Sequence, residues 1–277
     1  MLTSSKGAQT KYKKGNYFYK INSGNKEGLA ERLSSIILSE TNIQDYVVYE
    51  ECLINNKRGC RSKSFLKNNE LFVSLQRLYS TYVGGELNDA IFPLTPRERI
   101  EYTLEFINEV TGLEAFDYLG KMLSFDAFIL NTDRHFHNIG FTLNTKTREF
   151  KLAPVFDNGN SLLVDWTIYP PHYSIEECVE KTVGKPFYAN LEMQAYLFNT
   201  PLRINYENLE KKLHNEPPSR QLETIHFQLE KYKQVFKETI KPALPTIEEQ
   251  IANIQAKSNP KEKFNNKSDI IHEDILL

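Results

Sequence analysis

Polar and apolar positions alternate over Asn16-Tyr17-Phe18-Tyr19-Lys20-Ile21, which predicts a strand. A period of two puts Phe18 and Lys20 on one face and Tyr17, Tyr19 and Ile21 on the other. The period lengthens over residues 26–40, where Leu29, Leu33, Ile36 and Ile37 form one stripe of a helix. Glu27 and Glu31 stand one turn apart, off that stripe. Two more strand-like runs follow at 46–50 and 70–75, separated by a charged loop at 55–69. Gly84, Gly85, Pro93 and Pro96 mark 80–96 as a crossing segment. Beyond it the pattern is mostly helical. Thr95 caps a helix with Pro96 in its first turn and Glu98 three residues after the cap, ending near Gly112. A second helix, 114–130, carries Phe116, Leu119, Leu123, Phe125 and Phe128. The apolar runs 139–143 and 150–155, joined by Asn144-Thr145-Lys146, predict a β-hairpin. Helices are expected at 188–198, 206–214 and 219–240, with an amphipathic stretch at 246–256.

These elements add up to an α+β, bilobal architecture. A small antiparallel β-sheet lobe with one helix occupies 1–80, a larger mainly helical lobe 81–257, and a polar tail 258–277. The 277 residues are 40% hydrophobic and 25% charged, ordinary for a globular chain. A net charge of −2 leaves no electrostatic footprint for nucleic acid. The three cysteines (Cys52, Cys60, Cys178) form neither a disulfide framework nor a zinc pattern, so a reducing, cytoplasmic setting is expected. No apolar run reaches the roughly 18 residues that span a bilayer, and the first residues lack the apolar core of a secretory signal.

The chemistry concentrates in residues 124–160. Asn138 follows Asp133 at the interval that separates the acceptor-orienting Asp from the metal-binding Asn in the kinase pattern H-R-D-x-x-x-x-N. The second hairpin strand then delivers Asp157, in Asp157-Asn158-Gly159, where kinases place a second metal-binding Asp. In-line phosphoryl transfer needs a group to orient the acceptor hydroxyl, here Asp133, and Mg²⁺ to offset charge on the phosphate oxygens. A carboxylate and an amide oxygen are the hard donors Mg²⁺ takes, so Asn138 and Asp157 are the expected metal ligands. His135 would supply positive charge or a donor to the transferring phosphate. Upstream, the small-residue loop around Gly7, Ala8 and Gln9 stands where backbone N–H groups can cover phosphates. Lys20 follows on a strand, where a kinase holds the α/β-phosphates, and the next helix offers that lysine Glu27 or Glu31. Glu31 is the preferred partner because it lies further from the fraying end. Backbone groups near Ser74, Leu75 and Gln76 are expected to read the adenine edge. Asp and Asn are also ordinary turn residues; the hairpin and Asp157 tip the reading towards function.

The strings Asn131-Thr132-Asp133-Arg134-His135-x-x-Asn138 and Ala153-Pro154-x-Phe156-Asp157-x-Gly159 resemble the core of the HipA-like serine/threonine kinases, most closely their short CtkA-type branch. The motif pair spans about 40 residues, and the order of elements extends the resemblance over roughly residues 3–240. Ser4, Gly7, Gln9 and Lys11 match the family pattern S-x-x-G-x-Q-x-K. The resemblance implies an ATP- and Mg²⁺-dependent protein kinase, with Ser4 as the autophosphorylation site and Ser5 and Thr3 as substitutes. It implies a protein substrate and a toxin or secreted-effector role. A small antitoxin, or a chain resembling the family's extra N-terminal subdomain, is the implied partner. No direct nucleic-acid or membrane partner is expected. The chain departs from ordinary kinases where Asn158 replaces the Phe of Asp-Phe-Gly. A small-molecule or lipid kinase sharing D-R-H-x-x-N, and a partner-binding pseudokinase, are the alternatives.

Overall fold

The computed structural model describes residues 10–237. The expected stretch at 246–256, the tail at 258–277 and the loop carrying Ser4, Gly7, Ala8 and Gln9 lie outside the described residues.

The small lobe is built from two hairpins around one helix. Strands β1 (Lys11–Lys14) and β2 (Tyr17–Ile21) make the first, and β3 (Tyr49–Ile54) and β4 (Lys57–Lys63) the second. Helix α1 (Glu27–Leu38) joins them. The sheet is antiparallel in the order β1-β2-β4-β3. Two expectations are corrected here. The strand expected at 46–50 begins at Tyr49, and Tyr46 makes only an isolated bridge to Val155. The loop expected at 55–69 contains β4, an interior strand of the sheet. Its sequence, KRGCRSK, hides it because its buried positions are Gly59, Cys60 and Ser62, small rather than apolar. The packing demands small residues there. A Cβ on Gly59 would collide with the Lys20 carbonyl, and one on Gly28 would come within 2.9 Å of the Gly59 backbone. The start of α1 therefore lies directly on the sheet. Asn55 and Asn56, with φ of 49° and 62°, form the tight turn between β3 and β4.

A second sheet, order β5-β6-β7, contains β5 (Glu70–Ser74), β6 (Gly140–Asn144) and β7 (Phe150–Leu152). The β6–β7 pair is the expected hairpin. Strand β5, expected to close the small lobe, pairs with β6 and runs straight into α2 (Leu75–Tyr82). Ser74 caps that helix by accepting from Arg77 N–H at 3.2 Å. The crossing segment holds α3 (Leu87–Ile91). Helix α4 (Pro96–Thr111) has the expected capping box of Thr95 and Glu98, and Gly112 ends it in the left-handed region at φ 70°.

Helix α5 (Phe116–Ile129) runs through the core; Leu119, Met122, Leu123, Phe125 and Ile129 are all fully buried. Around it lie α6 (Ile175–Glu180), α7 (Leu191–Phe198), α8 (Tyr206–Leu213) and α9 (Arg220–Lys237). A helix end in the core needs partners for its last carbonyls. Buried Gln228 of α9 supplies them, donating to Ala127 O at 3.2 Å and Phe128 O at 2.9 Å. Leu130, at φ 57°, then turns the chain out of the helix toward Asp133. The lobes are joined by Val47 N–H to Val155 O (2.9 Å) and Val155 N–H to Asp45 O (2.8 Å), which fix the approach to Asp157. Among the described residues no helix is long and apolar enough to cross a membrane.

Candidate active site

Three charged side chains meet where the sheet, α1 and the end of the β6–β7 hairpin converge. Lys20 Nζ lies 2.5 Å from Glu31 Oε1 and 2.6 Å from Asp157 Oδ1. Strand register puts Lys20 opposite Cys60, on the face that α1 covers, so the lysine is buried. Glu31, the second of the two candidate glutamates, is the one that reaches it. Glu27 instead accepts from the Ser23 N–H and hydroxyl. Lys11 Nζ approaches the other oxygen of Asp157 at 3.3 Å. Asp157 has φ 58°, a left-handed conformation that Asp tolerates. That turn sends its carboxylate to Lys20 while the next N–H, of Asn158, donates to Glu31 Oε2 at 2.8 Å.

The electrostatics follow from one ammonium shared by two carboxylates, all three largely shielded from solvent. Burial pushes the Asp157 carboxyl up, but Lys20 and Lys11 outweigh it and hold the group well below the usual carboxylate range. Burial acts to lower the Lys20 ammonium, yet Asp157 and Glu31 raise it well above its ordinary value, so it stays charged. Burial dominates at Glu31 and pushes its carboxyl up, against the pull of Lys20.

Arg134, which the motif reading passed over, joins the parts. It is fully buried and bonds Asp126 of α5 through Nε (2.8 Å) and Nη2 (2.9 Å). Its guanidinium also donates to Asn138 O (3.2 Å), Phe156 O (2.7 Å) and Asn158 Oδ1 (2.7 Å). One planar cation thus ties α5, the 131–138 loop and the Asp157 turn together. The Asn158 departure from Asp-Phe-Gly has its explanation here, since Asn158 is buried against Arg134 and Glu31. The apolar anchor comes one residue before Asp157. The Phe156 ring packs against Phe72 at 5.2 Å and Phe65 at 5.9 Å.

Asp133 faces the open side of the same loop, with its side chain 39% exposed. Its backbone is fixed by Asn131 Oδ1, which accepts from Asp133 N–H at 3.1 Å, and by Asn138 Nδ2, which donates to Asp133 O at 3.1 Å. With its Nδ2 used in the latter contact, Oδ1 is the atom Asn138 could offer a metal. One amide oxygen and one ionised carboxylate fit Mg²⁺, which keeps waters and takes phosphate oxygens for its remaining positions. Lys185 Nζ lies 3.0 Å from Asp133 Oδ1, and His135 Nε2 lies 3.8 Å from Oδ2. Burial lowers the His135 imidazole below its ordinary value, with Asp133 opposing and His137 adding to the fall.

The segment expected to read adenine is placed differently from a free hinge. Leu75 N–H donates to Ile139 O (2.8 Å) and Gln76 N–H to Phe136 O (3.2 Å). The Gln76 side chain donates to Gly85 O and accepts from Leu87 N–H. Ser74 serves as the α2 cap, so the N–H groups of Leu75 and Gln76 have partners inside the fold. Gly7, Ala8, Gln9 and Ser4 are outside the described residues.

No protein-family model matches the chain, and no curated protein matches its sequence. Solved structures do match. The proinflammatory kinase CtkA of Helicobacter pylori aligns over 84% of this chain and 89% of its own, at 17% identity and a TM-score of 0.60. HipA of Shewanella oneidensis MR-1, from a toxin–antitoxin complex with HipB and operator DNA, aligns over 92% of this chain and 62% of its own. That match has 12% identity and a TM-score of 0.41. A small antiparallel β lobe, a helical lobe and this alignment together give the chain the bilobal kinase fold seen in CtkA.

Proposed function

We propose that the protein is an ATP- and Mg²⁺-dependent kinase of HipA-like type that phosphorylates serine or threonine hydroxyls of proteins. The observation that carries this reading is the meeting of Lys20, Glu31 and Asp157, with Arg134 linking the Asp157 turn to the Asp133 loop. An ammonium paired with a helix glutamate, next to an aspartate that can take Mg²⁺, is the set kinases use to fix phosphates. In this reading Lys20 binds the α/β-phosphates, and Glu31 keeps it extended. Asn138 and Asp157 hold Mg²⁺, which neutralises charge on the phosphate oxygens. Asp133 orients the acceptor hydroxyl and takes its proton, and His135 supplies positive charge or a hydrogen-bond donor to the transferring phosphate.

Two features favour a protein acceptor. The Asp133 side chain is open to a large partner. Trp166, Ile168 and Val183, on the segments that follow Asp157, are left in solvent at 44%, 52% and 54% exposure. Ser4 is the proposed acceptor within the chain itself. The test is incubation with γ-labelled ATP and Mg²⁺, alone and with a cell lysate. Label is expected on protein, and mass mapping of the 3–11 peptide reports on Ser4. Label found only on small molecules would replace the protein-kinase reading. No label in any fraction would overturn phosphoryl transfer altogether.

A further inference from the structure

We infer that Lys185 is a catalytic residue whose ammonium contacts the transferred phosphoryl group beside Asp133. The inference rests on the kinase reading above and deepens it. Phosphoryl transfer through a loose transition state leaves charge on three equatorial oxygens, and a preorganised cation at that point lowers the barrier. His135, expected from the motif to supply positive charge or a donor, lies further from Asp133, with Nε2 3.8 Å from Oδ2. In the kinase reading Lys20, paired with Glu31, is already assigned to the α/β-phosphates. Lys185 comes from a different part of the chain and places Nζ 3.0 Å from Asp133 Oδ1.

An exposed lysine beside an aspartate is by itself an ordinary surface pair of small energetic value. The support beneath Lys185 distinguishes it. Gln194 of α7, fully buried, donates to Lys185 O at 2.9 Å and accepts from Phe187 N–H at 2.9 Å and Tyr188 N–H at 3.1 Å. Arg99 Nη1 donates to Phe187 O at 3.2 Å. The Phe187 ring is fully buried and stacks edge-on against Phe136, a residue of the Asp133 loop, at 5.6 Å. The Lys185 backbone is thus fixed relative to the Asp133 loop, while its side chain keeps half its surface in solvent at the mouth of the site. A rigid base under a water-facing ammonium is what preorganisation requires; a solubilising lysine needs none of it.

In the proposed step the acceptor oxygen forms a bond to the γ-phosphorus as the bond from phosphorus to the leaving ADP oxygen breaks. The hydroxyl proton passes to Asp133. The Lys185 ammonium, held beside Asp133, contacts the phosphoryl oxygens and keeps its own proton. No other reactant is needed.

The experiment measures kcat and KM for ATP in the full-length wild type, Lys185→Met and Lys185→Cys. Lys185→Met should lose about 100-fold in kcat, the scale of one preorganised transition-state donor. Its KM for ATP should stay within about 3-fold, because the ground-state phosphates are held elsewhere. Treating Lys185→Cys with 2-bromoethylamine rebuilds a lysine-like ammonium and should recover at least about 10-fold in kcat. Iodoacetamide, which adds a neutral amide, should recover none. Wild type treated alike controls for the partly exposed Cys52. Wild-type turnover in Lys185→Met overturns the inference while leaving the kinase reading standing, as does equal rescue by both reagents. A wild type without phosphoryl transfer removes the kinase reading, and this inference falls with it.

Discussion

Lys20 stands between two carboxylates with little water present, and each residue's substitution acts through the charges left behind. Lys20→Met removes the cation that lies 2.5 Å from Glu31 and 2.6 Å from Asp157. Breaking a buried ion pair from one side costs about 3–5 kcal/mol, so this variant should lose both activity and stability. Adding Glu31→Gln to it removes the buried charge that Lys20 alone had paired. The double variant should therefore be more stable in denaturant melts than Lys20→Met alone, and additive losses would show that the triad is not one unit. The same geometry sets a pH dependence. Asp157 is held below its unfolded value, which is about 3.9. A depressed carboxyl contributes stability that is fully present above the unfolded value and is lost as pH falls through the folded one. Between pH 5 and pH 2.5 the wild type should lose stability more steeply than Asp157→Asn. Parallel curves would mean that the Lys20 and Lys11 contacts do not survive in solution.

At the scale of elements, the 131–138 loop holds its shape through Arg134, whose bonds reach a helix, its own loop and the Asp157 turn. Arg134→Lys keeps the charge but cannot span these partners with a compact ammonium. It should cost about 3 kcal/mol or more and reduce MgATP-dependent activity, even though Arg134 touches neither reactant. Calorimetry and turnover in parallel would check this; an undisturbed variant would make the guanidinium network decorative. Arg134 also shows where the sequence was hard to read. It lies in the middle of the motif, yet attention to residues with reactive groups passes over an arginine whose work is structural. Its signal was Asp126, a carboxylate inside the apolar helix that leads into the loop. Helix α4 and the β6–β7 hairpin were legible because their ends are written in local chemistry: a capping box, a turn after Asn144 and a stop at Gly112. Strand β4 was not, because its buried side is selected for smallness by α1 packing, which periodicity does not register. Its signal was the Asn55-Asn56 turn. Strand β5 was seen as a strand, but its pairing with β6 depends on contacts across 70 residues of chain, which no local pattern carries.

At the scale of the whole molecule, the proposed catalytic groups come from both lobes, so the tie between lobes governs the site. Glu31 projects from α1, and the next residue, Arg32, anchors that helix to the helical lobe. Arg32 donates to both oxygens of Glu216, at 2.7 and 2.6 Å, and through Nε to Glu51 of β3 at 2.9 Å. The hydrogen bond from Arg32 holds the Glu216 carboxyl below its ordinary value, with burial opposing. The pair is bidentate and mostly shielded, with side-chain exposures of 24% and 15%, which places it above a typical surface salt bridge. Glu216→Gln keeps the shape and removes the charge. It should cost about 1 kcal/mol of global stability and loosen α1 more than any element of the helical lobe. Hydrogen exchange distinguishes that local effect from a uniform loss. Amides of Glu27–Leu38 should exchange faster by a larger factor than those of Phe116–Ile129, the buried core helix. Activity should fall with it, because Glu31 holds Lys20 only while α1 stays against the sheet. Equal acceleration in both helices, or an α1 that exchanges as in the wild type, would mean that packing of Gly28 on Gly59 alone sets the helix position and that Arg32 is not a hinge pin between the lobes.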